Sequence, residues 1–177
     1  MGGKLIVGVA VCAVAFVAAG CGASKEKQAA ENKQACQAAI GGFVTALQDL
    51  NARLNVGVVY ADYGNKVGDI SAAHARIDTG AEALQNEDCL NIVTEGESAF
   101  ESYAKANEIW THCIQSAGAD PNCVRPKMLS RLRAQWNDAS TQVEQVTADL
   151  ASFGNAPASA NTNCPPGQTA NENGYCG

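Results

Sequence analysis

Between residues 25 and 153, apolar side chains recur every three or four positions in four successive stretches. The first stretch carries Cys36, Ile40, Phe43, Leu47, Leu50 and Leu54, and the second Tyr60, Tyr63, Val67, Ile70, His74, Ile77, Ala81 and Leu84. The third is looser, with Val93, Gly96, Phe100, Tyr103, Asn107, Trp110 and Ile114. The fourth is the most regular: Leu129, Leu132, Trp136, Ala139, Val143, Val146, Leu150 and Phe153. Such a rhythm lays one apolar stripe along a helix, and helices bury such stripes against one another. The separators agree. Asn55-Val-Gly57 offers a left-handed exit from the first helix. Asn86-Glu-Asp88 offers a stop, with Asp88 as the N-cap of the third. Gly118-Ala-Asp-Pro121 closes the third, and Pro126 suits the first turn of the fourth. The prediction is an all-α, up-and-down bundle of about four helices over residues 31–153. Gly41, Gly42, Gly64, Gly68, Gly80 and Gly96 fall inside the predicted helices, each costing ~1 kcal/mol relative to Ala. Close backbone packing accounts for them; the alternative is that Gly80 splits the second helix, giving five shorter helices.

The two ends have a different texture. Residues 1–4 carry one positive charge, and residues 5–20 contain no charged or strongly polar side chain. That apolar run is shorter than the ~20 residues a spanning helix needs, and it has the parts of an export signal. Val17-Ala18-Ala19-Gly20-Cys21, followed at once by polar Ser24-Lys-Glu-Lys27, resembles the lipobox of bacterial lipoproteins. Ala18 departs from the commonest pattern, where Leu is usual. The resemblance implies that the Cys21 thiol is joined to diacylglycerol, that the chain is cut before it, and that fatty acyl groups such as palmitate hold it to the membrane. The alternative is an uncleaved anchor with a free Cys21. The Ala-rich, high-Gly style is similar to that of small lipoproteins of actinobacteria and their phages, a likeness that transfers no functional residue beyond Cys21. Residues 21–30 then form a lipidated tether. At the other end, residues 154–177 combine a small, polar linker with a segment bounded by Cys164 and Cys176.

Cleavage before Cys21 removes Lys4, so 11 basic residues face 18 acidic ones and the net charge moves from −6 to −7. This balance disfavours nucleic acid and electrostatic adhesion to an anionic lipid surface. It fits a body held to the outer face of the cytoplasmic membrane by lipid alone. Setting aside Cys12 and Cys21 leaves six cysteines, an even number in an exported chain. Spacing favours Cys113–Cys123 across a turn and Cys164–Cys176 within the tail, leaving Cys36–Cys89 as the long-range link. A zinc site is the competing reading, but Cys-x-x-Cys spacing is absent.

Candidates for chemistry are few. His74 lies on the second stripe with Asp78 four residues on, and reads as a core histidine before a ligand or pH switch. His112 lies beside Cys113, with Glu108 one turn earlier; a cysteine–histidine nucleophile would need Cys113 reduced. No phosphate loop, Gly-x-Ser-x-Gly elbow, Glu-x-x-His pair or haem-attachment sequence is present. The sequence therefore reads as non-catalytic, with no cofactor and no metal. Arg125, Lys127, Arg131 and Arg133 cluster at the start of the fourth helix, where positive charge opposes the helix dipole. Pairing with Glu101 and Glu108 is one expectation; a binding patch for an acidic protein partner at the membrane-distal end is the other. The leading functional expectation is a lipid-anchored, extracytoplasmic binding module, with superinfection exclusion as its role if a phage encodes it. The alternatives are a carrier of a small apolar ligand in the bundle core and a structural envelope spacer.

Overall fold

The computed structural model describes residues 21–116 and 119–154. The signal-like segment and the Cys164–Cys176 pairing lie outside the described residues. Four helices follow one another: α1 (Cys21–Val56), α2 (Tyr60–His74), α3 (Glu87–Gln115) and α4 (Arg125–Ser152), with one 3₁₀ turn at Glu82–Gln85 before α3. There is no strand among the described residues. The protein is a disulfide-containing all-α bundle.

The stripes meet as their spacing predicts. Phe43, Leu47 and Leu50 of α1, Tyr63, Val67 and Ile70 of α2, Tyr103 of α3 and Leu132 and Val143 of α4 form one buried cluster. A second cluster lies nearer the start of α1, where Cys36, Ile40 and Val44 pack on Cys89, Ile92, Val93, Val146 and Phe153. Burying one large aliphatic or aromatic side chain contributes about 1.5–3 kcal/mol, so these clusters dominate the fold's stability. Polar ties fix the register: the Tyr63 hydroxyl donates to the Tyr103 carbonyl at 2.8 Å, and Gln48 Nε2 donates to Thr147 Oγ1 at 2.9 Å. The Lys66 ammonium sits 3.0 Å from Asp49 across the α1–α2 pair, and that hydrogen bond, with the one from Arg53, holds the Asp49 carboxyl below its ordinary range.

Several expectations need correction. The second helix stops at His74, because Ile77 and Leu84 reach the core from a turn and the 3₁₀ segment instead of from a continued helix. The N-cap of α3 is Asn86; its Oδ1 accepts from the backbone N–H of Asp88 at 2.9 Å, so Asp88 is capped and does not cap. Ile114 falls outside the α3 stripe and is exposed, while its neighbour Cys113 is buried at that end of the helix. α1 is one helix of 36 residues from Cys21 onward. Lys33 Nζ donates to the Ala151 carbonyl at the end of α4, a favourable cation at a helix C-terminus.

Among the described residues, two disulfides fasten the bundle. Cys36–Cys89 joins α1 to the first turn of α3, and Cys113–Cys123 closes the α3–α4 turn, with Cα separations of 5.8 and 5.0 Å. Both pairings match those expected from spacing.

Candidate functional site

The α1–α2 and α3–α4 turns come together at one end of the bundle. Each is shaped by local chemistry. Gly57 takes φ 99°, a left-handed conformation that ends α1 and that side chains rarely adopt. The chain is then extended at Val59, and α2 begins at Tyr60. In the second turn, Asp120 Oδ1 accepts from the Asn122 backbone N–H at 2.8 Å, and Asp120 Oδ2 lies 2.9 Å from His112 Nε2. The Asn122 backbone hydrogen bond and the His112 ring together lower the Asp120 carboxyl below its usual range. The Cys113–Cys123 bond closes this loop over 10 residues, and Pro126 lies in the first turn of α4.

Aromatic rings weld the turns to each other. Tyr60 lies 5.6 Å from Trp110 between ring centroids, and its hydroxyl is 2.8 Å from Thr111 Oγ1. Tyr63, Trp110 and Trp136 complete the cluster with centroid separations of 5.8 Å, a spacing at which tilted rings attract. Of the five exposed large hydrophobic residues among those described, four lie in these two turns or at the helix ends that flank them: Val56 at 86%, Val59 at 63%, Ile114 at 51% and Val124 at 47% exposed.

The basic cluster begins beside Val124. Arg125, Lys127, Arg131 and Arg133 are all exposed. Neither Glu101 nor Glu108 pairs with them: Glu101 lies 3.7 Å from Lys105 on its own helix, and none of the four cations makes an ion pair among the described residues. The first turn of α4 holds no acid, and Val124 supplies no side-chain cap. The adverse interaction of Arg125 and Lys127 with the helix dipole thus meets no compensating acid among the described residues.

The histidines fall elsewhere than their sequence neighbours suggested. His74 Nε2 lies 2.7 Å from Glu97 Oε1 on α3, while Asp78 Oδ1 accepts from the Gly80 backbone N–H. His112 faces Asp120 instead of Glu108. One nitrogen, oxygen or sulfur atom from each of His112, Asp120 and Cys123 falls within 4.8 Å of the others. The Cys123 sulfur is committed to Cys113, so two donors remain, fewer than zinc sites use. No protein-family model, curated protein or solved structure matches the chain.

Proposed function

We propose that this chain is a lipid-anchored binding module on the outer face of the bacterial cytoplasmic membrane, non-catalytic, which docks a protein partner at the tip of the bundle. The observation that carries this reading is the gathering of four exposed aliphatic side chains in two adjoining turns and their flanking helix ends, with four cations at the start of α4 that make no ion pair among the described residues. An apolar centre with a charged margin is the composition of a protein-docking patch. The partner it suits presents an apolar depression rimmed by carboxylates.

The lipobox at Cys21 supports the anchoring, and the continuous α1 gives it reach. At ~1.5 Å per residue, Val56 stands ~52 Å along the helix from Cys21. No helix among the described residues is long and apolar enough to cross a membrane. Two acyl chains hold a protein to a bilayer stably, and the tip then faces away from it.

Two experiments test the two halves of the reading. Metabolic labelling with a clickable fatty acid is expected to mark the wild-type chain and to leave Cys21→Ser unmarked; an unlabelled wild type removes the anchor. Cross-linking in intact cells is expected to capture a partner that the double variant Arg131→Glu, Arg133→Glu loses, and unchanged capture removes the tip.

A further inference from the structure

The fifth exposed large hydrophobic residue, Leu90, is 47% exposed and lies away from the tip, on the first turn of α3. It forms the rim of a cleft of ≈ 380 Å³ between the end of α2, the turn that follows it and the first half of α3. Ile77, Leu84, Leu90 and Val93 make its walls. At one side stand His74 and Glu97, with the His74 ring packed 5.1 Å from that of Phe43 between centroids. His74 occupies Glu97 Oε1, and Oε2 has no hydrogen-bond partner among the described residues. Thr94 spends its hydroxyl on the Leu90 carbonyl at 3.1 Å, whereas that of Thr79 is uncommitted among the described residues.

The volume falls in the lower part of the ~300–1,000 Å³ range of small-molecule sites. Glu97 is the only carboxylate on the wall, and no Lys or Arg lines it. An aliphatic trough with one carboxylate at its side selects a cation over an anion, because only a cation offers hydrogen-bond donors and opposite charge to the free oxygen. We infer that this cleft binds a small molecule with an aliphatic body and a single ammonium head, held by Glu97, with the body against Leu84, Leu90 and Val93. The site is independent of the tip and stands whether or not a protein docks there.

The test is a titration of the full chain, carrying ¹³C-methyl-labelled Ile, Leu and Val, with octylammonium and separately with octanoate. Saturable shifts at millimolar octylammonium are expected at Ile77, Leu84, Leu90 and Val93, with the methyls of Val56, Val59 and Val124 still. Octanoate is expected to bind at least about fivefold more weakly, the scale of one exposed ion pair. Glu97→Gln is expected to weaken octylammonium by about the same factor, with an unchanged far-ultraviolet circular dichroism spectrum. Equal binding of octanoate, insensitivity to Glu97→Gln, shifts centred on the tip, or failure to saturate would each overturn the proposal.

Discussion

At Gly96 the backbone of α3 passes so near Phe43 that a Cβ would lie 2.7 Å from the ring's Cε1. Phe43 is itself buried, so it has nowhere to yield. Gly96→Ala is therefore expected to destabilise the fold by about 1–3 kcal/mol, measured by urea denaturation. Gly42, also helical, meets nothing within 4 Å, and Gly42→Ala should instead stabilise by ~0.5–1 kcal/mol. The sequence explains both glycines by close packing, which holds at Gly96 and fails at Gly42. Helical spacing cannot distinguish them, because the difference lies in which neighbour another helix brings. Glu95 makes the same point about charge. Burial, then a hydrogen bond and repulsion from Asp149, raise its carboxyl above the ordinary range. The folded chain holds that proton more tightly than the unfolded one. This contribution to stability is full below the ordinary carboxylate range and is lost as pH rises through the folded value. Glu95→Gln is expected to raise the melting temperature at pH 7 and to leave it nearly unchanged at pH 3.5.

Among the elements, the first and fourth helices were the most legible, since their large aliphatic residues recur without interruption and nearly all lie in or against the core. The second was read too long. Ile77 and Leu84 keep the helical interval, yet a turn delivers them to the core equally well, and periodicity records burial without recording the backbone that achieves it. In the third, Phe100, Tyr103 and Trp110 lie in or against the core as their interval predicts, and only Ile114 departs, with Cys113 buried in its place; Ala99, Ser102 and Ala106 are also buried, and small residues give a weak hydrophobic signal. Disulfides were legible from spacing alone where a short turn intervened, and the long link followed by elimination. Chain entropy ranks them: closing 53 residues should contribute about 4 kcal/mol and closing 10 about 3 kcal/mol. Replacing Cys36 and Cys89 by Ala should accordingly cost more stability than replacing Cys113 and Cys123. The start of α4 carries a prediction of opposite sign for stability and binding. Arg125→Glu with Lys127→Glu places acids in the first turn and should stabilise the helix by about 0.3–1 kcal/mol per site. The same change should abolish docking, so a higher melting temperature with lost capture is the expected pair of results.

For the whole molecule, the sequence predicts an anchor at one end and places a basic cluster at the other, and the topology follows from four helices in succession. The apolar part of the tip was hidden. Val56 and Val59 sit in a segment too short to classify, Ile114 passes for a core residue by its interval, and Val124 follows a cysteine. Only folding brings the four to one end, with the Tyr60–Trp110 contact joining their turns. The cleft beside Leu90 was equally hidden, because His74 meets Glu97 across 23 residues instead of the nearer Asp78. The central claim is that contact is made at this tip and not along the flanks. Site-specific photo-cross-linking in intact cells tests it most directly, with the reactive residue placed at Val56, at Val124 or at the exposed mid-helix position Glu144. The same partner captured from Val56 and Val124 and absent from Glu144 is the predicted result; capture from Glu144 alone, or equally from all three, would contradict it.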